Sequence, residues 1–213
     1  MSPLIRNMLI SSIALAIFAI VGTALVATTY DMTAERIKEN HRATLLNGLH
    51  VLVPSDQHDN DLFSDVIEVM DKDLLGSNKA VRIYRARKED KPVAAIINSI
   101  APDGYSGRIE LLVAIRADGT IQGVRIVKHK ETPGLGDAID HRHSNWADAF
   151  ITRSLSNPDK KGWAVKRDGG IFDQFTGATI SPRAVVKATY KTLLYFDKHH
   201  KEIFTKPSMA IEE

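Results

Sequence analysis

The sequence predicts an α+β protein: a single N-terminal transmembrane helix, then one domain with a central antiparallel sheet and flanking helices. Three observations predict it. Residues 7–30 carry no charge. Between residues 79 and 128, four strand-like segments follow one another across turn residues, without the intervening helices of a doubly wound fold. The stretch after Ser181 returns to a helical period.

The N-terminal run from Met8 to Ala27 would span about 30 Å as a helix, the thickness of a bilayer core. A cleaved signal peptide has an apolar region of about 7–15 residues and a small-x-small cleavage site. This run is longer and Leu25-Val26-Ala27 is a poor cleavage site, so the segment reads as an uncleaved anchor. Arg6 precedes it, and the mixed set Asp31, Glu35, Arg36, Lys38 and Glu39 follows. The expected topology is single-pass, with the N-terminus cytoplasmic and the rest periplasmic in a bacterium. With no charge inside the span, the helix offers no ion path of its own.

Residues 31–51 read as a helix, because Ala34, Ile37, His41, Leu45 and Leu49 recur at three- and four-residue steps until Pro54. Residues 57–78 read as an acidic linker with a weak helical stretch from Phe63 to Met70. "KAVRIYRAR" (79–87) and "PVAAIINSI" (92–100) read as a hairpin across a charged turn. "GRIELLVAIR" (107–116) and "TIQGVRIVK" (120–128) flank Asp118-Gly119, a strong hairpin-turn signal. Pro133, Gly134 and Gly136 make 131–136 a loop, and Asp137 is placed to cap a short helix through about Phe150. "GWAVKRDGG" (162–170) reads as a short strand and turn. A final helix is expected from about Pro182 to His199, with Ser181 as N-cap and Pro182 at its first position. The expected organisation is therefore 1–30 as cytoplasmic tip and transmembrane helix, 31–78 as connecting helix and linker, 79–205 as the main domain and 206–213 as a tail.

Composition narrows the function. A net charge of only +2 and 7% aromatic residues argue against nucleic-acid binding. The chain has no cysteine, which excludes disulfides, Cys-ligated iron–sulfur clusters, thioether-linked haem and a Cys nucleophile. A redox role would rest on a cofactor held without thiols. His141 and His143, two apart on a helix, would diverge and chelate poorly, and His199 and His200 suit a helix C-terminus, so no metal site is expected. No Ser/His/Asp spacing suggests a hydrolase, although triads assemble in space.

Two loops carry candidate chemistry. Gly134-Leu135-Gly136 is not a dinucleotide fingerprint, since Ile139 stands where glycine is required and the preceding strand belongs to an antiparallel hairpin. It is either a tight turn needing glycine dihedrals, or a close backbone approach to a flat ligand with Leu135 on its face. Thr176-Gly177-Ala178-Thr179 precedes a helix, where unpaired N–H groups and the helix dipole favour an anion. A phosphate near Thr179, with Arg183 nearby, and ordinary Thr capping are both compatible with these residues. The row Arg183, Lys187, Lys191 reads as a solvated face.

Asp173-Gln174-Phe175-Thr176-Gly177-Ala178-Thr179 resembles the flavinylation motif Asp-x-x-(Ser/Thr)-Gly-Ala-Thr of the FMN-binding domain family. The resemblance implies FMN joined to Thr179 through a phosphoester made by a flavin transferase from FAD. Asp173, Thr176, Gly177 and Ala178 are the matching recognition positions. Glu131-Thr132-Pro133-Gly134-Leu135-Gly136 resembles the family's second signature loop, which lies against the isoalloxazine. Glu131, Thr132, Gly134, Leu135 and Gly136 are thereby implied in cofactor binding, with Thr132 and Leu135 as ring contacts and Phe172 or Phe175 as further cover. With its single anchor, the whole chain is similar to the G subunits of Rnf ion-translocating electron-transport complexes. Relatives of that family are the C subunits of sodium-pumping NADH:quinone reductases, which tend to be longer and differ after the Gly-Ala-Thr; "ISPRAVVKA" favours the former. The resemblance implies an electron relay in the bacterial inner membrane, not catalytic alone. Its partners would be the membrane and peripheral subunits of a complex linking ferredoxin and NAD. A C-type subunit and a membrane-anchored flavin sensor or assembly module are the alternatives.

Overall fold

The structure, a computed structural model, describes residues 2–209, with the side chains of residues 38–47 outside that description. The expectations for Met1, the His41 and Leu45 side chains and tail residues 210–213 therefore lie outside the described residues. The chain divides into two units, residues 1–46 and residues 47–213.

The first unit belongs to helix α1 (Pro3–Leu52). Its segment Pro3–Ile37 is long and apolar enough to cross a membrane, and none of its most apolar window is buried by protein. A helix apolar on every side and uncovered by protein suits lipid. Two hydroxyls near the end of this segment are satisfied internally: Thr28 donates to the Ala24 carbonyl at 2.7 Å and Thr29 to Leu25 at 2.8 Å. Such back-bonding gives these two groups a partner without water.

The second unit is built on a five-stranded antiparallel meander in the order β1-β2-β3-β4-β5. The strands are β1 (Val66–Val69), β2 (Val81–Lys88), β3 (Lys91–Gly104), β4 (Gly107–Arg116) and β5 (Ile121–Lys128). The two expected hairpins are present. Between β4 and β5, Gly119 has φ +85°, and the Asp118 carboxylate accepts from the Thr120 N–H at 2.9 Å. Between β2 and β3, Glu89 and Asp90 take φ of 51° and 61°, the left-handed pair that a two-residue hairpin requires.

Residues 66–69 correct the expected helical stretch at 63–70: Val66 pairs with Tyr84 and Val69 with Val81 at the edge of the sheet. Four residues are too few to separate a helical from an alternating period, and β-branched side chains fit the pleat. The outer edge of β1 is engaged by the chain's end, where the Met209 N–H donates to the Val66 carbonyl at 2.8 Å. At the other edge, Ile121 exchanges backbone bonds with Thr152 and Arg153 at 2.8 and 2.7 Å. A single turn, α2 (Lys72–Leu75), capped by Asp71, follows β1.

The sheet is covered on both faces. The last turn of α1 lies on one: a Cβ at Gly48 would touch Leu112 at 3.5 Å, and one at Gly123 would lie 2.8 Å from Leu52. Helix α3 (Ile180–Thr205) lies on the other, burying Val185, Leu193 and Phe196 against Ile97, Leu111 and Val113. Each such side chain contributes about 1.5–3 kcal/mol on leaving water.

The C-terminal end of α3 is held by two arginines of β2. Buried Arg85 donates to the Ile203 carbonyl at 3.0 Å and to Ser208 Oγ at 2.7 Å, and it forms an ion pair with Asp65. Arg87 pairs with the same carboxylate at 2.7 Å and donates to the Phe204 carbonyl at 2.8 Å. Cations suit the negative end of a helix.

Two expectations between β5 and α3 need correction. Asp137 does not cap one helix through Phe150; there are two 3-10 turns, at 136–139 and 146–150. The Asp140 carboxylate accepts from the Arg142 N–H and Ser144 donates to the Ala138 carbonyl, so side chains take bonds a helix would need. Residues 162–170 form no strand; two short 3-10 turns, at 160–162 and 166–168, flank a single bridge between Val165 and Phe172.

Candidate functional site

Helix α3 starts earlier than expected. Thr179 is its N-cap, so Ser181 lies inside the first turn rather than capping it, and Pro182 is third rather than first. Proline is tolerated there because first-turn N–H groups have no partner within the helix. Thr179 is half-buried and its hydroxyl makes no capping bond. The residues before it form a tight turn, closed by the Ala178 N–H donating to the Phe175 carbonyl at 3.1 Å. Gly177 takes φ +81° in that turn, a value that costs a side-chain-bearing residue about 1–2 kcal/mol. A free hydroxyl therefore stands at the positive end of a long helix.

The 131–136 loop meets this turn. The Thr132 carbonyl accepts from the N–H groups of Leu135 at 3.1 Å and Asp137 at 3.4 Å, curling the loop. Its two glycines serve different needs. Gly134 has φ +75° and open space around it. At Gly136 the limit is room: a Cβ would lie 2.8 Å from Ser181 Oγ and 3.0 Å from Glu131 Oε2. Leu135 lies against Gly177, with its Cδ2 3.7 Å from where a Cβ there would stand. Glu131 is turned inward, 4% exposed, accepting from the Ser181 hydroxyl and from the Ser106 N–H at 3.1 Å.

Leu135, lying against Gly177, and Ile180, next to Thr179 in sequence, remain 46% and 43% exposed. The arrangement offers an apolar surface beside a helix end and an unbonded hydroxyl. That chemistry fits a flat aromatic ring carrying a phosphate.

Asp173 and Thr176 are exposed, and Asp173 pairs with Lys166 at 2.6 Å. The segment is pinned by a residue that sequence reasoning missed. The Trp146 indole N–H donates to the Asp173 carbonyl at 2.8 Å, and its ring meets Phe175 edge-on at 5.5 Å. A rare tryptophan between two signature loops was the only available signal. Phe172, expected as ring cover, is 1% exposed and stacked on Phe150 at 4.6 Å in the core, so it cannot reach a surface ligand.

The basic row on α3 is solvent-exposed, as expected, and each member also has a partner there. Arg183 makes two bonds to Asp168, at 2.6 and 2.9 Å; Lys187 pairs with Asp103 at 2.7 Å; Lys191 donates to the Asp73 carbonyl at 2.8 Å. The Arg183 hydrogen bonds hold the Asp168 carboxyl below its ordinary range. His141 and His143 face different carboxylates, Asp148 at 3.9 Å and Asp137 at 3.8 Å.

Residues 104–193 match the family model of the FMN-binding domain, a span that contains both loops, and residues 1–52 match that of the RnfG N-terminal region. The chain is similar to the G subunit of the ion-translocating oxidoreductase complex of Aliivibrio fischeri (strain MJ11), 48% identical over 197 residues covering 92% of this chain and 94% of that one. The protein of the same name from Shewanella baltica (strain OS223) is 46% identical over 206 residues, covering 97% and 95%. That of Vibrio cholerae serotype O1 (strain M66-2) is 45% identical over 194 residues, covering 91% and 92%.

Proposed function

The chain belongs to the family of G subunits of ion-translocating oxidoreductase complexes, and from that premise we propose that it carries FMN as a phosphoester on Thr179. It is a membrane-anchored electron-transfer subunit with an FMN-binding domain, a redox component of its complex that is not catalytic alone. The observation that carries the Thr179 assignment is its hydroxyl, unbonded at the N-cap of α3 beside the apolar pair Leu135 and Ile180.

In this reading Thr179 Oγ1 displaces AMP from the pyrophosphate of FAD on a flavin transferase. The new bond joins Oγ1 to the FMN phosphorus, the old phosphoanhydride breaks, and the hydroxyl proton is released. The first-turn N–H groups of α3 and the compact backbone at Gly177 and Ala178 then hold the phosphate. Asp173 and Thr176, exposed on the same segment, are what the transferase reads. Leu135, curled outward by the bonds to the Thr132 carbonyl, and Ile180 cover the ring and exclude water. When bound, FMN supplies one- or two-electron exchange. Glycine at 134 and 136 lets the second loop take the curled path that carries Leu135.

The rest of the proposal concerns placement. The segment 1–30 crosses the bacterial inner membrane with its N-terminus in the cytoplasm, and the sheet domain, which includes β1 (Val66–Val69), works in the periplasm. The complex links ferredoxin and NAD, and ion movement belongs to partner subunits, since residues 7–30 carry no charge.

Intact mass after coexpression with a flavin transferase tests the attachment: the chain gains one FMN less water, and Thr179→Val gains nothing. Covalent flavin retained in Thr179→Val would overturn the assignment. Protease digestion of spheroplasts tests the topology; a protected domain would reverse it.

A further inference from the structure

We infer that Glu131 is a positioning residue: its buried carboxylate ties the 131–136 loop to the first turn of α3 and to the tip of the β3–β4 hairpin, and sets the separation of Leu135 from Thr179. The inference rests on the assignment of FMN to Thr179, and it gives Glu131 a role other than touching the cofactor.

The connections are specific. Glu131 opens the loop that ends at Gly136. One carboxylate oxygen accepts from the Ser106 N–H at 3.1 Å, fastening the tip of the β3–β4 hairpin. The other accepts from the Ser181 hydroxyl, two residues beyond Thr179 in the first turn of α3. The Glu131 N–H donates to His129 Nδ1 at 3.2 Å, so the residue is held at its backbone as well. Both Glu131 and Ser181 are buried, at 4% and 0% exposure.

A buried carboxylate is costly unless its oxygens are bonded, and here both are. Hydrogen bonds to an ionised acceptor are also stronger than neutral ones. The protection comes from Gly136, whose missing Cβ would collide with both Ser181 Oγ and Glu131 Oε2. The loop backbone thus closes over the bond it helps to form. Leu135 is the residue immediately before this seal, and its Cδ2 already meets the position of Gly177. Release of the carboxylate would free the loop from the helix and let the apolar cover drift from the attachment point.

The test compares wild type, Glu131→Gln, Glu131→Ala and Ser181→Ala as full-length proteins incubated with flavin transferase and FAD. Loading is followed by intact mass and the bound flavin by visible circular dichroism. Glutamine can accept from the Ser106 N–H and donate to Ser181, so Glu131→Gln retains the wild-type loading rate and flavin dichroism within about twofold. Glu131→Ala loads at least tenfold more slowly and loses most of the induced dichroism, and Ser181→Ala falls between them. Wild-type loading and dichroism in folded Glu131→Ala and Ser181→Ala would overturn the inference. If Glu131→Ala does not fold, Ser181→Ala with wild-type values has the same consequence.

Failure of the Thr179 assignment would look different, as flavin retained in Thr179→Val or no flavin on wild type. Hydrogen exchange of the flavin-free proteins then decides: the Ser106 amide should exchange at least tenfold faster in Glu131→Ala, and an unchanged rate would overturn the positioning role.

Discussion

The indole N–H of Trp146 donates to the backbone carbonyl of Asp173, joining the 3-10 turn at 146–150 to the start of the segment that ends at Thr179. The two residues are 27 positions apart in sequence. Trp146→Phe keeps an aromatic edge against Phe175 and removes the donor. It should cost about 1 kcal/mol, the net value of one hydrogen bond. Trp146→Ala also loses packing on Phe150 and Phe175 and should cost more. Thermal melts of the detergent-solubilised chain measure both; equal melting temperatures for Phe and Ala variants would contradict the packing role.

The glycines of the 131–136 loop should respond differently to substitution. At Gly134 the obstacle is φ alone, so Gly134→Ala costs about 1–2 kcal/mol and Gly134→Asn less, since asparagine tolerates the left-handed region. At Gly136 the obstacle is space beside Glu131 and Ser181, so Gly136→Asn should be worse than Gly136→Ala. Urea unfolding of the four variants gives the order.

Leu135 is nearly half exposed, so Leu135→Ala should change stability by less than about 1 kcal/mol. It should still alter the flavin it covers, raising flavin fluorescence and shifting the visible absorption as water reaches the ring. An unchanged spectrum in the loaded variant would remove Leu135 from the ring surface.

Stability should fall in acid through Asp65. Burial alone would raise its carboxyl, but hydrogen bonds from Arg87 and Ser208 and the charges of Arg85 and Arg87 outweigh burial and hold it below the ordinary range. A carboxyl depressed on folding stabilises fully above its unfolded value, and that stabilisation is lost as pH falls through the folded one. Wild type should therefore lose urea resistance on acidification below about pH 4, with a shallower loss in Asp65→Asn. Arg85→Ala, which leaves the carboxylate and the α3 carbonyls without their buried partner, should cost about 3–5 kcal/mol at neutral pH.

The parts of the fold that could be read from sequence were those with long periods or special turn residues. The Asp118-Gly119 hairpin and the charge-free N-terminal helix both stood out for this reason. Strand β1 did not, because four residues carry no period and its partner, β2, lies across a segment that read as linker. The start of α3 shifted because Ser181, a good cap by type, spends its hydroxyl on Glu131 instead. The motifs singled out Thr179, Gly177 and Leu135, and the structure sets Leu135 against Gly177. They were silent on direction: Glu131 turns inward and Phe172 joins the core. Trp146 offered only its rarity as a signal, because its partner is a backbone carbonyl, which residue types do not reveal.

Each rim of the meander has one residue bonded by a non-strand segment, Val66 by the Met209 amide and Ile121 by residues 152–153. A sheet with an unused rim is a template for a neighbour's strand. Proteins tethered to one bilayer meet each other at high local concentration, where such templating would be most damaging. The Met209 amide thus occupies part of the β1 edge, and a chain shortened to Lys206 should free the Val66 carbonyl and show more oligomer by light scattering than the full chain.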